Sequence, residues 1–437
     1  MSGQRFRRQA RSQREQDLID ASGRYMACGI RSTSLAPEYQ MIVARAEGSR
    51  IYDCSGNVYL DYLLGSGPMF VGHAHPAVVA AVREQVGLGS SYLLANEPAI
   101  RLCQAIVELV PCADKVTLHN SGSEATSYAM RLARAWRKRD KIIKFEGGFH
   151  GMNDHSLMSN QWTFQPAAYP QPVPNSAGIP RSLQDDVLIA PFNDLEATSD
   201  LVAHHADELG GIIVEPLCRT IPPQPGFLQG LRALADRHEI PLIFDEVVTG
   251  FRMGLGGAQA YYGVTPDLCA LGKAISGGHP LGVVCGRADI MDLAGPGSMM
   301  TGDHVRMTGT YSSNPVSAVA ALAVIDVLSQ PGVYDTVERK GNKLKQALSL
   351  ALDNAGIPAQ VIGEATAFQP WFTDQAVVDH RSCLRADWGL SFALIDRLLD
   401  YGIIKGHEKF FVSVAHSDED INDTIAAFEP VAEALRA

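Results

Sequence analysis

Two charged residues stand where a short apolar run ends: Asp245, in Leu242-Ile-Phe-Asp-Glu-Val-Val-Thr-Gly-Phe-Arg252, and Lys273, in Ala270-Leu-Gly-Lys-Ala-Ile-Ser-Gly-Gly278. A glycine-containing turn follows each, so both read as residues at the carboxyl edge of a parallel sheet, where open α/β folds place their ligands. An amine and a carboxylate on two such edges suit pyridoxal phosphate. The amine makes a Schiff base with the cofactor aldehyde, and the carboxylate keeps the pyridine nitrogen protonated so that the ring accepts electrons. Taken singly, Lys273 also reads as a solvated lysine and Asp245 as a helix cap; the argument lies in the pair.

Two further segments fit around them. Asn120-Ser-Gly-Ser-Glu-Ala-Thr126 follows a strand and opens a helix; helix amides there make an anion site and glycine admits a phosphate closely. The plain alternative is an N-cap at Ser123. Glu146-Gly-Gly-Phe-His-Gly151 ends another strand, and Phe149 between glycines would lie flat against a ligand ring or fill the core.

These residues need a sheet to carry them. Candidate strands at Lys115–Asn120, Lys141–Glu146, Val187–Phe192, Gly211–Pro216, Pro241–Glu246, Leu268–Lys273 and Gly282–Arg287 alternate with helical stretches such as Ser123–Arg139 and Gly226–His238. Continuous apolar strands between helices predict a mostly parallel sheet covered on both faces. Arg50–Asp61 reads as a hairpin around Ser-Gly-Asn. Asn160–Arg181 reads as a long irregular loop. A helix over Tyr334–Ala355 opens a C-terminal α+β segment whose last helix starts near Ser417-Asp-Glu-Asp420. The expected organisation is an N-terminal segment, 1–75, joining a small domain; a large α/β domain, 76–328; and a small C-terminal α+β domain, 329–437.

With 437 residues, 46% hydrophobic and 19% charged, the chain has the composition of a globular protein with two or three domains. A net charge of −11 argues against general nucleic-acid affinity. No stretch approaches the roughly 18 apolar residues that span a bilayer, and the basic start, Met1–Arg11, lacks the apolar centre of a secretory signal and reads as an amphipathic first helix. The expectation is a cytoplasmic protein without nucleic-acid or membrane partners. The eight cysteines are scattered without a Cys-x-x-Cys pair, as for reduced thiols packed as small hydrophobes. No metal is expected: His73 and His75 have no carboxylate or cysteine at ligand spacing.

Together with Thr308-Gly-Thr-Tyr-Ser-Ser-Asn-Pro315, the four motifs occur in the order and spacing of class III pyridoxal phosphate aminotransferases, which the chain resembles from about residue 40 onward. Gly67–Pro76, Gly230–His238 and Gly256–Gln259 are most similar to the glutamate-1-semialdehyde 2,1-aminomutase branch. The resemblance implies the α/β fold type I of pyridoxal phosphate transferases. It further implies Lys273 as Schiff-base lysine and proton shuttle, Asp245 on the pyridine nitrogen, Phe149 and Val247 about the ring, and Gly122 and Ser123 on the phosphate. Thr310 would complete the neighbouring subunit's site in a homodimer, and Arg252 would pair structurally near Glu246.

Some positions depart from the aminomutase pattern. Ser66 stands where a tryptophan is usual, Leu35 takes the place of a carboxylate-holding arginine, and Thr220 replaces an asparagine, whereas Glu408 matches an acidic rim residue. Losing a large aromatic and a bidentate cation changes specificity more than chemistry. Arg31 and Arg219 are then candidate carboxylate partners, with Ser66 and Glu408 also facing substrate. The sequence therefore reads as an aminotransferase that moves an amino group from an amine or amino acid to an oxo acid or aldehyde, with a small-molecule amino donor and oxo acceptor as partners. The alternative is the aminomutase, an isomerase needing no second substrate; another cofactor outcome, such as epimerisation or decarboxylation, is a third. A non-catalytic relative would have dispensed with Lys273 or Asp245, and a nicotinamide dehydrogenase lacks its Gly-x-Gly-x-x-Gly.

Overall fold

The computed structural model describes residues 6–27, 39–160 and 166–436. The chain divides into two compact units. One comprises Met1–Pro76, Pro331–Ala376 and Arg385–Ala437; the other comprises Ala77–Gln330 with Val377–Leu384.

In the first unit, β1 (Val43–Glu47), β2 (Arg50–Asp53) and β3 (Val58–Asp61) form an antiparallel meander. The expected hairpin is β2–β3. Its turn closes because the Asp53 carboxylate accepts from the backbone amides of Ser55 and Asn57, at 3.0 and 2.8 Å. The first helix runs Gln13–Tyr25, capped by Ser12.

The second unit holds a seven-stranded sheet. Its strands are β4 (Lys115–His119), β5 (Lys141–Phe145), β6 (Val187–Ala190), β7 (Leu209–Val214), β8 (Leu242–Glu246), β9 (Leu268–Leu271) and β10 (Gly282–Gly286). Their order is β4-β10-β9-β8-β7-β5-β6. All seven predicted strands form. The five from β9 to β6 are parallel, while β10 runs antiparallel to both β9 and β4. The cause is chain length: a parallel return needs a crossover of a dozen or more residues, and the link Gly272–Leu281 is too short for one. The chain therefore doubles back, and Lys273 sits in that reversal.

Helix Gly122–Arg137 lies across the sheet. Its small apolar face, with Ala125, Ala129 and Ala133, packs on Ile142, Ile213, Ile243, Ala270 and Val284. Small residues bring the helix axis close to the strands, which fixes where its first turn points.

The remaining strands belong to the first unit. β11 (Gln360–Glu364), β12 (Ala367–Trp371) and β14 (Phe410–Phe411) make an antiparallel sheet, and β13 (Ile403–Ile404) joins β3 in parallel. The predicted long helix is Val333–Asn354 and the last is Asp418–Arg436. The last one begins as expected: the Ser417 amide donates to the Asp420 carboxylate at 2.9 Å, and the Asp420 amide donates to the Ser417 hydroxyl at 3.0 Å. Asp420 also accepts from Arg50 and Ser49, tying this helix to the β2–β3 hairpin. Among the described residues, no single helix is long and apolar enough to cross a membrane.

Candidate active site

Asp245 and Lys273 emerge from neighbouring parallel strands on the same sheet edge. Asp245 lies opposite Ala270 in the register, and Lys273 follows β9 by two residues. The backbone at Lys273 adopts a left-handed conformation, φ 45°, after an extended Gly272. For a lysine this costs about 1 kcal/mol, and with it the chain leaves the strand for a short helical turn, Lys273–Ser276. The turn is closed by the Ser276 hydroxyl, which donates to the Lys273 carbonyl at 2.7 Å and accepts from the Gly278 amide at 3.3 Å.

Asp245 is held from two sides. Its Oδ1 accepts from the Val247 amide at 3.1 Å, and Oδ2 lies 2.8 Å from His150 Nδ1. A carboxylate only accepts, so Nδ1 carries the hydrogen. Both side chains are buried, at 4% and 1% exposure. His150 stands in the predicted strand-end motif, but its part in the site was not singled out from sequence. The signal would have been a histidine placed to meet a buried carboxylate two strands away on the same sheet edge. His150 Nε2 is buried with no partner among the described residues. The His150 backbone is fixed in turn by Thr126, whose hydroxyl donates to its carbonyl at 2.5 Å.

The first turn of helix Gly122–Arg137 closes the third side. The cap is Ser121, not Ser123: the Ser121 hydroxyl accepts from the Glu124 amide, and the Glu124 carboxylate accepts from the Asn120 amide at 2.7 Å. Ser123 is thereby left outside the cap, and its hydroxyl accepts from the Met152 amide at 3.2 Å. A side chain at Gly122 would come within 2.8 Å of Val247, and one at Gly151 within 2.6 Å of Ser123. The glycines thus let this first turn approach the β8 edge and the loop after β5. Helix amides at N1 and N2 lack intrahelical acceptors, so a small cradle of donors faces the region between Val247 and Gly151.

Phe149 is 37% exposed, unlike the buried strand residues before it. The Arg219 guanidinium sits 5.6 Å from the centroid of its ring. Arg219, itself at φ 59°, donates through Nε to the Gly147 carbonyl at 2.9 Å and through an Nη to the Asn160 carbonyl at 3.0 Å. The arginine named as a candidate carboxylate partner therefore braces the loop that carries Phe149.

The same loop is anchored by a pair that sequence reasoning missed. Glu146, 4% exposed, receives Arg381 through both carboxylate oxygens, at 2.8 and 3.1 Å, and also accepts from the Tyr169 hydroxyl at 2.6 Å. The Arg381 guanidinium lies 3.9 Å from the Tyr169 ring centroid. Next to it, Gly147 at φ 81° leaves no room for a Cβ, which would stand 2.5 Å from His380 Nδ1. Burial pulls the His380 imidazole down to about 4, keeping it neutral. Beneath the loop, buried Lys144 donates to the carbonyls of Ser156 and Met158 at 2.9 and 2.5 Å, and burial draws its ammonium down to about 7.

Glu246, next to Asp245, turns the other way into the core. Burial raises it to about 7, and it accepts from Thr249 and Gln259 at 2.9 and 3.0 Å. Arg252 is buried and donates to the Val248 carbonyl at 3.0 Å. Thr310 lies in an exposed loop of this unit, its carbonyl accepting from the Ser91 hydroxyl at 3.4 Å. Ser66 and Glu408 belong to the other unit. Ser66 is exposed in a left-handed run, Leu64 to Gly67, and Glu408 pairs with Lys409 at 3.0 Å. His73, read as having no carboxylate or cysteine at ligand spacing, is paired with Asp61, 12 residues away in sequence, at 2.7 Å. Arg31 and Leu35 lie outside the described residues.

The arrangement fits pyridoxal phosphate on observations of this chain: a glycine-lined helix start that any Cβ would fill, a buried carboxylate steered by a buried histidine, a half-exposed aromatic, and a lysine turned off its strand. The comparisons agree. The sequence profile of the aminotransferase class-III family matches residues 34–430. A glutamate-1-semialdehyde 2,1-aminomutase from Methanopyrus kandleri is 39% identical over 426 residues, 96% of this chain and 97% of that protein. An omega-transaminase from Sphaerobacter thermophilus superposes with TM-score 0.90 at 31% identity, covering 97% of this chain and 98% of its own. A transaminase solved with PLP bound superposes with TM-score 0.89 at 25% identity, covering 98% and 99%. The fold is that of fold-type-I enzymes and the cofactor is pyridoxal phosphate. The chain is an enzyme and belongs to the class III aminotransferase family.

Proposed function

We propose that the enzyme moves an amino group within glutamate-1-semialdehyde to give 5-aminolevulinate, an isomerisation. The carrying observation is the 39% identity, sustained over nearly the whole of both chains, to a protein named for that reaction. When bound, pyridoxal phosphate supplies a carbonyl carbon for amine exchange and a ring that withdraws electrons from the substrate carbon. In this reading Lys273 holds the cofactor and then moves a proton on and off the substrate carbon. Asp245 keeps a proton on the ring nitrogen, and His150 keeps Asp245 aimed. Phe149 and Val247 cover the two ring faces and exclude water. The Gly122 and Ser123 amides hold the phosphate at the positive end of their helix. Ser66, Glu408, Arg31 and Arg219 are assigned to the substrate side.

Thr310 completes the neighbouring site in a homodimer on the same reading. Support comes from its surroundings: Leu93, Leu94, Met300 and Tyr311 are 64 to 95% exposed. The first two lie in the loop whose Ser91 and Asn96 hydrogen-bond to the Thr310 and Ser313 carbonyls. Apolar side chains so placed call for a covering surface. A cytoplasmic location goes with this reading.

A second reading, transfer between an amino donor and an oxo acceptor, is favoured by Ser66 in place of the usual tryptophan and by the omega-transaminase likeness. One experiment separates the two. The holoenzyme is given glutamate-1-semialdehyde without any oxo acid, and 5-aminolevulinate is measured. Steady multiple turnover supports the aminomutase; a single turnover, or none until donor and acceptor are supplied, supports the aminotransferase.

A further inference from the structure

Cys112, Cys269 and Cys285 are distant in sequence and meet in the core. Cys269 and Cys285 are direct cross-strand partners in the antiparallel register of β9 and β10. Cys112 reaches them from the turn after helix Glu97–Leu109. The three Sγ atoms lie within 4.8 Å of one another, and the thiols are 5, 0 and 0% exposed. Side chains alternate along a strand, and Ala270 and Val284 face helix Gly122–Arg137. The thiols therefore occupy the opposite face of the sheet from that helix.

Buried thiols are ordinarily small hydrophobes. Three converging from separate segments are also a ligand set. A metal–sulfur bond of about 2.3 Å gives a trigonal S···S spacing of about 4 Å, within the separation found here. No fourth histidine, cysteine or carboxylate joins the group among the described residues, which disfavours tetrahedral zinc and favours a soft ion content with three sulfurs. The cluster has an outer layer as well. The Cys112 amide donates to Gln259 Oε1 at 2.8 Å, and Gln259 Nε2 donates to Glu246 at 3.0 Å, fixing the turn that presents the thiol. Entry is short: Pro111 and Asp114, flanking the buried pair Cys112 and Ala113, are exposed.

We propose that Cys112, Cys269 and Cys285 form a three-coordinate thiolate site for a soft d10 cation of the Cu(I) class, separate from the Lys273 site. Binding releases thiol protons to solvent as metal–sulfur bonds form, and the oxidation state of the ion is unchanged.

The test titrates reduced, pyridoxal-phosphate-loaded enzyme with Cu(I) under anaerobic conditions against a coloured Cu(I) chelator. One ion per chain is expected to be retained, with copper-edge absorption giving three sulfurs at about 2.3 Å. Cys112→Ser and Cys285→Ser are each expected to weaken retention at least tenfold, whereas Cys103→Ser leaves it unchanged. Cofactor absorbance in each variant verifies that it is folded; should Cys285→Ser fail this check, Cys112→Ser, in a turn, still decides. No retained ion in the parent enzyme, or undiminished retention in folded Cys112→Ser, overturns the proposal.

Discussion

His150 Nδ1 and Asp245 Oδ2 are 2.8 Å apart, and both side chains are sealed from water. The histidine comes from the loop after β5 and the carboxylate from the end of β8, so the hydrogen bond joins two strand ends on one sheet edge at the point assigned to the ring nitrogen. A buried carboxylate fixed by His150 on one oxygen and by the Val247 amide on the other has one orientation, and any ligand that pairs with it inherits that orientation.

Removing the histidine should therefore be felt in cofactor binding. Losing one hydrogen bond to a charged buried group costs about 1.5–3 kcal/mol, so His150→Ala is expected to raise the Kd for pyridoxal phosphate roughly 10- to 150-fold. His150→Gln, which can still donate, should recover part of this. Absorbance titration of the apoenzyme measures both, and an unchanged Kd for the alanine variant removes the orienting role.

Arg219 offers a sharper distinction. Because it donates to the Gly147 and Asn160 carbonyls and stands over Phe149, Arg219→Ala should loosen the aromatic. A lost cation–π contact of about 0.5–2 kcal/mol predicts a roughly 2- to 30-fold weaker cofactor. With cofactor saturating, KM for a carboxylate substrate reports separately. A KM that stays constant rules out the carboxylate role, and one that rises tenfold establishes it.

Gly147→Ala introduces a Cβ 2.5 Å from His380 at a left-handed φ of 81°. Overpacking and strain together are expected to cost about 1–3 kcal/mol, seen as a lower unfolding midpoint. An unshifted midpoint would contradict the close approach.

Lys144 gives a pH dependence with a definite sign. Burial holds it at about 7 in the folded chain, whereas the unfolded chain keeps that proton to about 10.4. Between these values the unfolded state binds more protons, so stability rises with pH. Lys405, drawn by burial to about 7, adds to the same window. Glu246, raised to about 7, acts in the window below: there the folded state binds more protons, and stability falls as pH climbs from the usual carboxylate range toward 7. The combined contribution of the three is lowest near neutrality. Urea midpoints from pH 7.5 to 9.5 should rise in the parent enzyme and rise less in Lys144→Met.

The strands carrying Asp245 and Lys273 were legible because each is a continuous apolar run with an abrupt charged end, a pattern that parallel sheets impose. The helix start at Gly122 was legible for a similar reason, although the capping serine was misplaced by two residues: Ser121 and Ser123 both suit a cap, and only the reach of Glu124 back to Asn120 decides between them. Glu146 and Arg381 were not legible, being 235 residues apart and brought together only by tertiary folding. The thiols were read as scattered for the same reason. Cys269 and Cys285 become neighbours only once β10 reverses direction, which depends on the length of the turn at Lys273 and on no property of cysteine.

Val377–Leu384 belongs to the unit built from Ala77–Gln330, although the chain has by then left it. Through this short return, Arg381 neutralises Glu146 and His380 fills the space that Gly147 leaves. A gene fragment encoding only the catalytic sheet would thus be born with a buried carboxylate beneath its aromatic loop that keeps Tyr169 but lacks its cation. Modular exchange of the C-terminal half with that of a relative would have to preserve one arginine and one histidine, whatever else it altered.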